Sequence, residues 1–262
     1  MLNLSELTDK VRALAIEAGD FIREERKKFH HEAIEKKHAH DYVSYVDKES
    51  EKKIVTRLKE LLPEAGFIAE EGSGTLNDEQ YCWLVDPLDG TTNFIHDNAP
   101  YCVSIALRSK KELLLGVVYE ICRNECFWTY KGAPSYLNGN EIHVSAISNL
   151  DDSFIALGFP YATEEYKPMA NHLVNTLYGN VAGLRLMGAA AVELCYIAAG
   201  RFEARIEAFI GPWDIAAGTI ILQNAGGMIT DFKGGDSYSS GSQVLATNGR
   251  IHRDLLNIID NL

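Results

Sequence analysis

Hydrophobic and polar positions recur along this chain with two periods, and each period points to an element. Between residues 2 and 29 the apolar positions are Leu4, Leu7, Val11, Leu14, Ala15, Ala18, Phe21 and Ile22. That spacing of three and four predicts a long amphipathic helix. A polar stretch rich in Lys and His runs from His30 to His40. Residues 42–46 alternate like a short strand, and a second helix is predicted over 48–62, ended by Pro63. Apolar runs at 66–69 and 81–85 read as short buried strands. From residue 101 the pattern turns to strands at 102–107, 113–119 and 125–130, separated by charged turns. Asn138-Gly139-Asn140 is a hairpin-turn signal.

After residue 150 helix and strand alternate. Strands are predicted at 153–157, 181–186, 202–207 and 243–247, and helices at 164–179, 190–199, 213–225 and 250–260. Nothing repeats, and no low-complexity linker interrupts the chain. The expected fold is α+β passing into α/β. Residues 1–150 would form an N-terminal α+β half with a large antiparallel sheet, and residues 151–262 a C-terminal α/β half. The two would pack as one globular unit with a site between them.

Composition narrows the function. A chain of 262 residues can bury a sizeable core, and 46% hydrophobic with 24% charged residues is ordinary for a globular protein. The net charge of −12 repels polyanions, which argues against a general nucleic-acid binder. A phosphorylated substrate stays compatible, because metal ions can neutralise a local site. The first residues lack a basic region followed by an apolar one, and no run approaches ~20 apolar residues. A cytoplasmic protein without membrane contact is expected. The five cysteines are odd in number and mostly lie in apolar runs, as reduced, buried thiols do. Cys122 and Cys126 lack the second ligand pair of a zinc site.

The candidate chemistry is concentrated in Trp83-Leu84-Val85-Asp86-Pro87-Leu88-Asp89-Gly90-Thr91-Thr92-Asn93-Phe94. An apolar run ends in Asp86, and Asp89 follows across a proline whose fixed φ limits how far the two acids can separate. Gly90 lets backbone approach a ligand, and a helix starting there would turn its amides toward an anion. Acid oxygens for hard cations beside amides for a phosphate are the parts of a metal-dependent phosphatase. Three other acidic signals fit. Glu70-Glu71 ends a buried strand, Asp214 lies in the first turn of a helix, and Asp47 stands at the mouth of another. Each has a plainer role available: an N-cap for Asp47, a charge against a helix dipole for Asp214, a solvated carboxylate for Glu71, an ordinary helix-start residue for Thr91.

With Glu70-Glu71, the Asp86–Phe94 segment and Trp213-Asp214 before small residues, the chain resembles the inositol monophosphatase family over nearly its whole length. The family is one of magnesium-dependent, lithium-sensitive phosphatases, and the Gly158-Phe159-Pro160-Tyr161 segment looks like its bacterial members. The resemblance implies a layered α-β-α-β-α sandwich of the sugar phosphatase type, with most metal ligands in the N-terminal half. It implies two to three Mg²⁺ ions: Glu70, Asp86 and the Leu88 carbonyl at the first, Asp86, Asp89 and Asp214 at the second, and Glu70 with waters at a third. Asp47 and Thr91 would position and deprotonate the attacking water, with Glu70 the third catalytic residue. The Gly90 and Thr91 amides would receive phosphate, and Asp89, Ala190, Glu207 and Asp214 would meet the substrate. Lys36 matches a lysine on an active-site loop, with a solvated charge as the plain alternative. His38 and His40 form a His-x-His pair, for which an exposed loop is the plainer account.

The implied reaction is hydrolysis of a small phosphate monoester, myo-inositol 1-phosphate first, by metal-activated water without a covalent intermediate. Histidinol phosphate, fructose 1,6-bisphosphate and NADP or 3′-phosphoadenosine nucleotides share that chemistry. A different class also stays open, a binding partner in a transcription complex, and a homodimer is expected. Converging carboxylates repel by roughly 1 to 4 kcal/mol per close pair, which bound cations would offset.

Overall fold

The computed structural model describes residues 2–30, 34–38, 41–74, 79–110, 112–159, 163–240 and 243–260. Helix α1 (Leu4–Arg26) opens the chain, capped where the Asn3 side chain accepts the Glu6 N–H. Its buried residues Leu7, Val11, Leu14, Ala15, Ala18 and Ile22 keep to one face, as the periodicity predicts. The polar stretch after it is not simply a loop. Strand β1 (Ile34–His38) pairs antiparallel with β2 (Asp41–Ser44). Backbone hydrogen bonds make this ribbon, so no apolar alternation marks β1. Lys36 falls on β1 and pairs with Tyr42 through the backbone. The His38 side chain and His40 lie outside the described residues.

Helix α2 (Tyr45–Leu61) begins three residues earlier than predicted. Ser44, not Asp47, is its N-cap. The Ser44 hydroxyl accepts the Val46 N–H, and Asp47 in the first turn accepts the Ser44 N–H at 2.8 Å. This reciprocal arrangement satisfies amides that a helix start leaves without partners.

A seven-stranded sheet follows in sequence order: β3 (Ala65–Ala69), β4 (Tyr81–Asp89), β5 (Cys102–Ser109), β6 (Leu113–Glu120), β7 (Glu125–Tyr130), β8 (Ser135–Leu137) and β9 (Asn140–Ile142). Only β3 and β4 pair parallel; the rest are antiparallel. The predicted hairpin turn joins β8 and β9, with left-handed backbone at Asn138 and Gly139. Between β4 and β5 is the one-turn helix α3 (Thr91–Ile95). The second sheet holds β10 (Phe154–Gly158), β11 (Gly183–Arg185), β12 (Ala204–Ala208), β13 (Met228–Thr230) and β14 (Gln243–Thr247) in the order β11-β10-β12-β14-β13. The three-residue β13 had no sequence signal.

Helices α4 (Thr163–Leu177), α5 (Ala190–Ala198), α6 (Pro212–Asn224) and α7 (His252–Ile259) complete the layers. One core joins α1 and α2 to the large sheet through Val11, Ile54, Leu58, Trp83, Ile105 and Val117. A second joins the other face of that sheet to α5, α6 and the small sheet through Ala106, Phe127, Leu194, Ala217 and Val244. A third joins the small sheet to α4 and α7 through Leu157, Leu173, Ile206, Leu245 and Leu255. The result is the expected α-β-α-β-α sandwich. Alternation on β12 turns Ala204, Ile206 and Ala208 to the outer core, which turns Arg205 and Glu207 toward α5. Among the described residues no helix is long and apolar enough to cross a membrane.

Candidate active site

The site lies where β4 ends between the layers. Residues i and i+3 of a plain strand face opposite ways, yet Asp86 and Asp89 line the same cavity. The register explains it: Asp86 pairs with Ser104 and Asp89 with Cys102, so three steps on β4 match two on β5. This bulge turns both carboxylates to one side. It also extends β4 beyond the predicted 81–85, through Pro87, where no N–H is available to pair.

The cavity, about 410 Å³, is lined by Glu70, Asp86, Leu88, Asp89, Gly90, Thr91, Ala190, Glu207 and Asp214. These are nine of the ten residues to which the resemblance gives a catalytic, metal or substrate role. Asp47, the tenth, reaches the site through Thr91, whose Oγ1 donates to Asp47 Oδ1 at 2.9 Å. The same hydroxyl is 3.1 Å from the Leu88 carbonyl. The other oxygen of Asp47 is fixed by the Ser44 hydroxyl at 2.6 Å and by the Ser44 amide. Burial pushes the Asp47 carboxyl above its usual value, against the pull of these hydrogen bonds.

Asp86, Asp89 and Asp214 are held by backbone amides. Asp86 accepts from Leu88 N–H at 2.9 Å and Asp214 from Gly211 N–H at 2.7 Å. Asp89 receives the amides of Ala190 and Ala191, at 3.1 and 2.8 Å, one on each oxygen. It thereby caps α5, whose own cap residue, Ala189, has no side chain to do so. The Ala190 amide is engaged in that bond. Burial, then the charges of Glu70, Asp89 and Asp214, raises Asp86 well above the carboxylate range. Burial raises Asp89 to about 7, opposed by the Ala191 amide and Arg205. Asp214 reaches about 8 through burial and the charges of Asp89 and Glu70.

Among the described residues no three His, Cys, Asp or Glu side chains stand in a closed metal-holding group. The donor chemistry nonetheless fits hard cations. The acids offer only oxygens, each carboxylate oxygen keeps a lone pair beside its amide bond, and like charges crowd at low dielectric. Helix α3 has only five residues, so an anion there would depend on individual amides more than on a summed dipole. Gly90 is required at its start. Its φ is 90°, and a Cβ would come within 3.0 Å of the Pro100 carbonyl.

Other site residues escaped the sequence. Buried Glu51, four residues after Asp47 on α2, accepts the amides of Glu71 and Ser73 at 2.7 and 2.9 Å and so fixes the turn after Glu70. Its i+4 spacing from Asp47 was a usable signal. Buried Glu193 accepts the amides of Met187 and Gly188 and pairs with Arg205, which also pairs with Glu207. Asn93, which lies inside the central motif but was given no role there, donates to the carbonyls of Pro100 and Met187 at 2.7 Å each. Together these bonds tie the segment before α5 to both ends of the cavity.

A sheet pair flanked and separated by helices, with an acidic pocket at a strand end, is the layout of a sugar-phosphatase-type fold. The chain belongs to the inositol monophosphatase family, whose pattern it matches over residues 3–261. It is 37% identical to Nus factor SuhB of Escherichia coli strain K12 over 265 residues, covering 100% of this chain and 97% of that protein. The extragenic suppressor protein suhB of Bartonella henselae superposes with a TM-score of 0.90 at 32% identity, over 96% of this chain and 97% of that one. The inositol monophosphatase of Anabaena (Nostoc) sp. PCC 7120 does so with a TM-score of 0.87 at 31% identity, over 100% and 98%.

Proposed function

We propose that this protein is a magnesium-dependent phosphomonoesterase acting on a small phosphorylated polyol, with myo-inositol 1-phosphate as first candidate. The observation that carries this is the Thr91–Asp47 pair beside the buried carboxylates in one cavity. Glu70, Asp86, the Leu88 carbonyl, Asp89 and Asp214 would hold two to three Mg²⁺ ions. Bound Mg²⁺ lowers the pKa of water and stabilises a leaving oxygen. Thr91 aims the attacking water, and its proton passes through the hydroxyl to Asp47. Burial raises the Asp47 carboxyl above its usual value and so makes it a stronger base than a solvated carboxylate. The amides of Gly90 and Thr91 receive phosphate oxygens, and Glu207 accepts a substrate hydroxyl with Ala190 close by. Water attacks phosphorus, the ester P–O bond breaks, and the leaving oxygen takes a proton from solvent to depart as the alcohol, with no enzyme-bound phosphate. Histidinol phosphate, fructose 1,6-bisphosphate and NADP or 3′-phosphoadenosine nucleotides are the alternatives within this chemistry. The family resemblance supports lithium sensitivity and a cytoplasmic homodimer.

Phosphate release from a panel of these esters, with Mg²⁺ and with or without Li⁺, tests the proposal. Wild type should hydrolyse at least one ester, and Asp89→Asn should lose at least about a hundredfold, the scale of a removed transition-state contact. Equal rates would sink the metal assignment. The name Nus factor, carried by the Escherichia coli relative, favours a second reading as a binding partner in a transcription complex. Inactivity on every ester together with a stable macromolecular complex would favour that reading instead.

A further inference from the structure

A second cavity, about 500 Å³, shares the first turn of α6 with the catalytic one. Asp214 lines the catalytic cavity, whereas the next two residues, Ile215 and Ala216, line this one. Thr219, Ile220 and Gln223 follow at helical spacing, so one face of α6 forms a wall. The volume is that of a small-molecule pocket. Thr219 on this wall is 2% exposed, and its hydroxyl has no hydrogen-bond partner among the described residues. Buried hydroxyls nearly always have a partner, from the protein or from something bound.

Cations stand on the same lining. Arg108 near the end of β5, Lys110 just beyond that strand and Lys131 just after β7 all border the cavity. Its acids are Glu112 and Asp236. Lys131 holds Glu112 at 2.7 Å, with 54% and 46% of their side chains exposed. An ion pair so open to water is weak, so Lys131 can turn to another anion. Three cations against two acids give this cavity a positive balance in a chain of net charge −12. Ile215, Ala216 and Ile220 beside those cations suit an anion with an apolar body. A bare inorganic anion would leave the apolar face unused, and an uncharged apolar molecule would leave the cations unused.

We propose that this cavity is a second ligand site, separate from the catalytic one, for a small organic anion with an apolar body. The charged group sits against Arg108 and Lys131, and the body lies along α6 over Thr219. The site stands whether or not the protein hydrolyses phosphate esters, since none of these residues has a part in that chemistry.

The probe is anilinonaphthalenesulfonate, followed by fluorescence titration, with its uncharged counterpart phenylnaphthylamine alongside. Wild type should bind the sulfonate saturably, and more weakly as salt is raised. Lys131→Glu replaces attraction by repulsion at an exposed position and should raise the sulfonate's Kd at least about fivefold. The uncharged dye's Kd and the melting temperature should stay unchanged. Two control variants should bind the sulfonate as wild type does. Lys52→Glu makes the same charge change on α2, where the side chain is 73% exposed. Leu186→Ser alters the wall of the catalytic cavity. Absence of saturable binding, or an equal Kd in wild type and Lys131→Glu, overturns the inference. Weakening by Leu186→Ser also overturns it, by putting the dye in the catalytic cavity. An equal loss in Lys52→Glu does the same, by making the effect one of net charge alone.

Discussion

Thr91 has one hydroxyl proton and two acceptors in reach, Asp47 and the Leu88 carbonyl. Donation to Asp47 leaves the Thr91 lone pairs for a proton of the attacking water. Thr91→Val keeps the shape and removes the relay. Its kcat should fall about 10²- to 10⁴-fold with little change in KM, measured as steady-state phosphate release. Arg205 has a different task. With 3% and 1% of their side chains exposed, Arg205 and Glu193 form a buried pair. Arg205→Met strands the Glu193 carboxylate, at a cost of about 3–5 kcal/mol in urea unfolding. Adding Glu193→Gln should recover part of that loss. Asp86, Asp89, Thr91 and Asp214 were legible because each sits inside a local motif. Glu193 and Arg205 were not, because their contacts join distant segments and neither is in a motif.

At the scale of elements, helices and central strands were readable because their buried faces repeat with the period of the element. Boundaries moved where a local bond outweighed pattern. The Ser44–Asp47 exchange drew α2 back to Tyr45, and the bulge carried β4 through Pro87. No sequence pattern shows a bulge, since it depends on the register of the neighbouring strand. The close approach of α6 to the large sheet was equally hidden. A Cβ on Gly116 of β6 would meet the Ala217 carbonyl oxygen at 2.6 Å. Gly116→Ala must push backbone apart and should cost about 1–3 kcal/mol, read from the denaturation midpoint. A stability equal to wild type would show that α6 does not sit so tightly on β6.

For the whole molecule, the central helical layer binds both sheets, with α6 from the second half of the chain lying on the sheet of the first. The same layer encloses the acids and raises their pKa values. The ordinary aspartate value is 3.8, against about 7 for Asp89 and about 8 for Asp214 in the fold. Between these values the unfolded chain binds fewer protons than the folded one. Stability contributed by the cluster therefore falls as pH rises through that window. Metal-free protein should melt at a lower temperature near pH 8 than near pH 5. Mg²⁺ should raise the value at the higher pH, by about 2.7 kcal/mol of stability at a hundred times its Kd. A melting temperature indifferent to Mg²⁺ at that pH would contradict cation binding by the cluster.

The family resemblance implied the layered sandwich. The sequence on its own determined most of the helices and central strands and the clustering of acid oxygens at a strand end. Those depend on periodicity along the chain and on donors clustered within a dozen residues, both local properties. Tertiary structure alone decided that a bulge turns Asp86 and Asp89 to one side, that Asp89 caps α5, and that Arg205 stands between Glu193 and Glu207. It also decided that the first turn of α6 borders two cavities. Each of these depends on which segments pack together and in what register, and on the burial that follows.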